Sequence, residues 1–196
     1  MSAWFWSCLL LSLKNPRAGM RQILTLPRPQ GSEMVALLLM AVSSALLLNL
    51  SFWLMPLAEE SPFAHLFDSP IATAGLQFVT LLITAFLAWL VGGWFRGTAR
   101  LPDAILAVAW LQAIMLVLQL LQLLLVGILP ALGGLLGLAA IALFVVLLSN
   151  FIAEIHGFAS PVKVCIGAIL TFLLAVMLLS ILLAPFIPAE MLQDAL

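Results

Sequence analysis

Apolar residues in this chain come in long runs, not in short alternations. Five runs reach the about 20 residues needed to cross a bilayer: 34–57, 71–95, 102–129, 131–156 and 162–187. Their edges carry helix punctuation. Gly31-Ser32-Glu33 opens the first, Ser69-Pro70 the second and Ser160-Pro161 the fifth, each with a capping residue or a proline at the start. Gly157 stands where the fourth run should stop. The third and fourth runs are nearly continuous, since no residue between Ala104 and Ala153 is charged. One helix of that length would be about 75 Å long, against a hydrocarbon core of about 30 Å. The chain must therefore turn back, and residues 127–134, with Gly127, Pro130, Gly133 and Gly134, are the stretch equipped to do it.

The residues ahead of the first span follow another pattern. Residues 1–13 are apolar but too short to span, and they lack the leading positive charge of a cleavable signal. Trp4, Phe5 and Trp6 favour the headgroup boundary, so this segment is expected to be interfacial. In residues 16–26, Met20, Ile23 and Leu24 recur at helical spacing with Arg17 and Arg21 on the flank. This predicts a short amphipathic surface helix, apolar side on the bilayer and arginines among anionic headgroups. Residues 26–31, with Pro27 and Pro29, read as a stiff connector. The expected organisation is a cytoplasmic interfacial segment at 1–31, a five-helix transmembrane domain at 32–188 and a short outside tail at 189–196.

Composition sharpens this picture. Hydrophobic residues make up 65% and charged residues 8%, with a mean hydropathy of +1.29. Too little polar surface remains for a water-soluble domain, and a net charge of -1 gives no basic footprint for nucleic acid. With five spans, Lys14, Arg17, Arg21, Arg28, Arg96, Arg100 and Lys163 all fall on one side. Glu59, Glu60, Asp68, Glu190 and Asp194 fall on the other. The positive-inside tendency then predicts a cytoplasmic N-terminus and an outside C-terminus. Cys8 and Cys165 form no CxxC pair and are expected to be reduced.

Polar side chains inside spans usually face other helices. Thr73, Gln77, Thr80 and Thr84 form one stripe on the second span, and Gln112, Gln119 and Gln122 another on the third. Both are read as interhelical polar contacts, with a polar pathway as the alternative. The densest polar chemistry is at the cytoplasmic end of the fourth and fifth spans. There Asn150, Glu154, His156 and Lys163, with Arg96 and Arg100 from a neighbouring loop, are expected to form a structural clasp, Glu154 pairing with Lys163, Arg96 or Arg100. Lys14, Arg17, Arg21, Arg28, Trp4 and Trp6 are the candidate membrane-surface residues. Glu59, Glu60, His65 and Asp68 lack the spacing of a metal site and read as a solvated loop. Nucleotide, zinc-hydrolase and serine-hydrolase motifs are absent, and no catalytic residue, cofactor or metal is expected.

Asn15-Pro16 before a short amphipathic helix, the loop from Phe95 to Pro102, and the fourth span ending in Glu154-Ile155-His156-Gly157-Phe158-Ala159-Ser160 together resemble a bacterial member of the Yip1 domain family. The resemblance covers nearly the whole chain. It implies a five-helix protein of a bacterial inner membrane; eukaryotic relatives work in vesicle trafficking and contact small GTPases through a longer cytoplasmic N-terminal region. Here only residues 1–31 precede the first span, with no tyrosine and no DLYGP signature, so a small GTPase partner is not expected. The expected function is a non-enzymatic membrane protein that organises lipids or membrane-protein partners, further copies of itself included. A small permease, channel or lipid-moving protein using the Thr/Gln stripes is the alternative.

Overall fold

The computed structural model describes residues 2–54 and 69–183, all of whose regular structure is helical. Among these residues lie α1 (Ser2–Lys14), α2 (Pro16–Leu24), α3 (Ser32–Leu54), α4 (Pro70–Trp94), α5 (Leu101–Ile128), α6 (Pro130–His156) and α7 (Pro161–Leu183). Five of them, α3 to α7, are long and apolar enough to cross a membrane. The chain is a multi-pass integral membrane protein. The expected ends of the first and fifth spans, the outer loop with Glu59, Glu60, His65 and Asp68, and the tail at 189–196 lie outside the described residues.

Helix starts follow local chemistry. Asn15 Oδ1 accepts from the Ala18 amide at 3.2 Å and Pro16 takes the first turn of α2. Ser69 Oγ does the same for α4, accepting from Ala72 N at 3.4 Å. The hairpin between α5 and α6 is tighter than the expected turn at 127–134. Leu129 alone separates the helices, held extended (φ -141, ψ 86) by the proline that follows it. Gly127, Gly133 and Gly134 are therefore helical. Gly133 serves close approach: a Cβ there would come within 3.0 Å of the Val126 backbone.

α5 is the centre of the bundle. One side, through Ile105, Val108 and Ala109, packs on Leu37 and Ala41 of α3 and Leu81 and Ala85 of α4. The opposite side, through Ala107, Trp110, Leu111 and Ile114, packs on Leu147, Phe151 and Ile155 of α6. α7 rests on α6 at the periphery, with most of its described side chains exposed. Such contacts gain from dispersion and close fit, since lipid tails are as apolar as leucine.

The amino-terminal helices are part of this core. α1 buries Phe5, Cys8, Leu9 and Ser12 to varying depth, one stripe at i, i+3, i+4 and i+7, and turns Trp4, Trp6 and Leu10 outward. Its Ser12 Oγ accepts from Trp110 Nε1 at 3.0 Å, and Phe5 meets the same indole edge-on at 5.6 Å. Gly19 of α2 lets the two helices cross, because a Cβ there would stand 2.6 Å from the Ser12 Cα. Burial pushes the Cys8 thiol above its ordinary value, an effect partly offset by a hydrogen bond with Ser7. Met20 and Ile23, expected to rest on the bilayer, are instead buried in the α5–α6 core. The protein offers this face a closer fit than lipid, and the neighbouring arginines find fixed acceptors.

Between α5 and α3 a side-chain bond joins two spans: Gln112 Nε2 of α5 donates to Ser44 Oγ of α3 at 2.7 Å, and Ser44 Oγ donates to Met40 O. Interhelical bonds of this kind contribute roughly 0.6 to 1.7 kcal/mol. A double-mutant cycle of Ser44→Ala and Gln112→Leu, read by thermal unfolding in detergent, is expected to give a coupling of that size. Strictly additive effects would contradict the bond.

Candidate functional site

The polar chemistry is concentrated at the end of the bundle where α6 stops. Gly157 takes the left-handed conformation there (φ 72, ψ 22), which a Cβ would disfavour. Its amide and that of Phe158 return to Glu154 O and Ala153 O, at 3.3 and 2.8 Å. The carbonyls that follow need donors from elsewhere, and Arg17 supplies them. Its Nη2 donates to Phe158 O at 2.9 Å, Nη1 to Ala159 O at 3.3 Å and Nε to Glu154 Oε2 at 3.0 Å. Arg21, one turn later, donates from Nε to Glu154 Oε1 at 2.7 Å. Each carboxylate oxygen thus takes one guanidinium, and a planar fork suits a carboxylate and two carbonyls at once. The Glu154 side chain is 10% exposed, against 32% for Arg17 and 68% for Arg21. Hydrogen bonding to Glu154, then its charge, holds Arg21 above its ordinary value.

Glu154 was expected to pair with Lys163, Arg96 or Arg100; its partners are Arg17 and Arg21. The α2 start fixed by Asn15 and Pro16 places two arginines four residues apart, on one face directed at α6. Arg28 makes a second tie. Its Nη2 donates to Asp103 Oδ1 at 2.5 Å and its Nη1 to Leu24 O at 3.2 Å, joining the end of α2 to the first turn of α5. Cation and carboxylate lie where the helix dipoles favour them.

His156 occupies a slot beside this latch. Its Nε2 donates to Ala88 O of α4 at 3.1 Å, the acceptor being a carbonyl, while the buried Nδ1 has no partner among the described residues. Gly92 and Gly97 wall the slot: a Cβ on either would run into the imidazole. Phe158 stacks on the ring at 5.2 Å and 10°. The backbone amide of Thr98 reaches His156 O at 3.4 Å, docking the 95–100 loop on the end of α6. That loop closes α4 through Gly97 N to Gly92 O at 3.0 Å, with Arg96 in the left-handed region (φ 63). Gly97 and Thr98 lie in the loop that carries the family resemblance, yet none of Gly92, Gly97, Thr98 or Asp103 stood out in the sequence as a partner for these groups.

The other expected site residues lie apart from this cluster. Asn150 turns its amide to Val146 O in its own helix at 2.8 Å. Lys14, Arg96, Arg100 and Lys163 are exposed, and the ion pairs among the described residues do not include them. Trp4 and Trp6 are exposed on α1. In α4, Thr73, Thr80 and Thr84 close on carbonyls of their own chain segment at 3.0, 2.9 and 2.8 Å, and Gln77 is half-buried. Gln119 and Gln122 border α6, away from that stripe. Gln112 alone of these seven hydrogen-bonds to another helix.

The comparison with curated proteins and that with solved structures gave no match. The whole pattern, from the amphipathic arm through five apolar helices, coincides with a family match over residues 10–182, and the chain belongs to the Yip1 domain family.

Proposed function

We propose that this protein is a scaffold that organises anionic lipids and membrane-protein partners around its basic end, without catalysing a reaction. Yip1 domain proteins are in general non-enzymatic membrane proteins. The observation that carries the reading is the division of labour among the seven cations. Arg17, Arg21 and Arg28 are spent on internal carboxylates. Lys14, Arg96, Arg100 and Lys163 remain exposed, with Trp94 and Phe95 exposed beside Arg96. Cations flanked by exposed aromatics suit a headgroup layer of negative charge. The surface role expected of Arg17 and Arg21 therefore passes to the 94–100 loop and the start of α7.

The variant Arg96→Gln/Arg100→Gln/Lys163→Gln is expected to retain several-fold less phosphatidylglycerol than wild type in native mass spectra, with phosphatidylcholine retention unchanged. Equal retention of phosphatidylglycerol by the variant would sink the proposal. In this reading the basic end faces the cytoplasm at the bacterial inner membrane, and the C-terminus lies outside. A reporter fused after Leu196 should then behave as external; cytoplasmic behaviour would reverse the orientation. Partners, further copies of the chain included, would meet the exposed face of α7.

A further inference from the structure

The geometry points to a second, separate lipid site: an open groove between α5 and α6 that holds one glycerolipid of the leaflet opposite the basic end. The groove has a volume of about 520 Å³, within the usual about 300–1,000 Å³ range of small-ligand sites. Its lining changes character with depth. Measured from Ala104 at 1.5 Å per residue, Met115 lies about 16 Å along α5, Gln119 about 22 Å and Gln122 about 27 Å. Counted back from Ala153 on α6, Phe144 lies about 14 Å and Ile141 about 18 Å from the basic end, and Gly134 about 28 Å. In a hydrocarbon layer of about 30 Å, Met115, Phe144 and Ile141 therefore sit near mid-bilayer. Gln122 sits about 3 Å inside the far boundary, next to the level of a bilayer lipid's ester groups, and Gln119 lies one turn deeper, about 8 Å inside. The lining runs from amides to hydrocarbon in the order of a lipid molecule, ester end outward and chain inward.

The amides themselves call for such an occupant. Gln119 and Gln122 are half-buried and make no hydrogen bond among the described residues. Gly137 leaves room for the Gln122 amide, whose nitrogen lies 2.7 Å from where a Cβ would stand. An amide left without a partner in an apolar medium is costly, so a ligand that brings acceptors to that depth is favoured. The two ester carbonyls of a diacyl lipid supply them. Leu138 and Ile141 line the groove and are exposed, so it opens directly onto the acyl chains. This site depends neither on the reading of the basic end nor on which side faces the cytoplasm.

A phosphatidylcholine carrying a diazirine midway along one acyl chain, incorporated in vesicles with the full-length protein, tests it. Photoadducts mapped by mass spectrometry are expected at residues 138–144 and at Met115, at least five-fold above those on α7, whose apolar surface is equally exposed. Gln119→Leu/Gln122→Leu should lower the groove adducts several-fold. Gly134→Phe should do so too, since it adds bulk to a lining position where a Cβ meets nothing within 4 Å. Buried Cys8 should stay unlabelled by maleimide in both variants, reporting an intact fold. Adducts spread evenly over α7 and the groove, or unchanged by Gly134→Phe, would overturn the site. So would efficient disulfide formation between two copies of a Leu138→Cys variant, which would make the groove an interface between chains.

Discussion

Glu154→Ala is expected to release α1 and α2 from the bundle while leaving the five spans in place. Both arginines of the arm converge on this carboxylate, and no other described acid is bonded to them. Breaking a buried ion pair costs up to about 3–5 kcal/mol, but Arg17 and Arg21 are exposed enough to recover part of that from water and headgroups. A loss of about 2 kcal/mol in arm docking follows, equivalent to a roughly thirty-fold larger released population. Cys8 reports it directly, being fully buried when the arm is docked. In a Cys165→Ser background, a membrane-permeant maleimide should therefore label Cys8 roughly thirty times faster in the variant. Glu154→Gln should fall between, because an amide oxygen still accepts from one arginine. Arg17→Ala should act more strongly than Arg21→Ala, since Arg17 also satisfies Phe158 O and Ala159 O. Arg17→Lys should rescue little, as an ammonium group cannot reach three acceptors from one plane. Unchanged Cys8 labelling in Glu154→Ala would show that the arm is held without this carboxylate, by its apolar burial and its remaining polar ties.

The elements of this fold were legible because membrane spans declare themselves locally. Five runs of apolar residues, each opened by Ser, Pro or Gly, give α3 to α7 without knowledge of any contact. Asn15-Pro16 marks the α2 start in the same way, since a cap involves neighbours in sequence. The partners of Glu154 were not legible. They lie 137 and 133 residues away, and electrostatics offered Arg96, Arg100 and Lys163 as equally good cations at shorter range. Proximity in the chain favoured them; the fold chose otherwise because α2 docks along α6.

The inward face of α1 was partly encoded. Phe5, Cys8, Leu9 and Ser12 follow helical spacing, but Ser2, Ser7 and Ser12 do not share a face and obscure it. Ser12 is buried and bonded to Trp110. Polarity alone therefore misreads it as outward. Arg17 and Arg21 present the same difficulty from the other side. Their amphipathic pattern is identical for a helix lying on lipid and for one lying on protein, and only a fixed carboxylate within reach separates the cases. The threonine stripe of α4 shows the converse, since a hydroxyl in a helix can bond its own preceding turn and needs no neighbouring helix.

Gly92→Ala and Gly97→Ala are each expected to destabilise the bundle by roughly 1–3 kcal/mol, the usual cost of forcing a methyl group into a filled site. A Cβ at Gly92 would lie 2.7 Å from His156 Cδ2, and one at Gly97 would lie 2.6 Å from His156 Cγ and 2.8 Å from Gly92 O. The imidazole cannot simply swing away. It is held by Ala88 O on one edge and by Phe158 across its face, and its own backbone carbonyl is tied to Thr98. Replacing the ring should then remove the penalty: His156→Ala costs stability by itself, yet adding Gly92→Ala to it should cost little more. Thermal unfolding of the two single variants and the double variant in one detergent gives the coupling, expected at roughly 1–3 kcal/mol and favourable to the double variant. Gly97→Ala should be rescued less completely, because the Gly92 carbonyl remains in its way after the ring is gone. Additive losses at Gly92 would mean that the ring does not fill the space between the two glycines, and the joint between the 95–100 loop and the end of α6 would then rest on Thr98 alone.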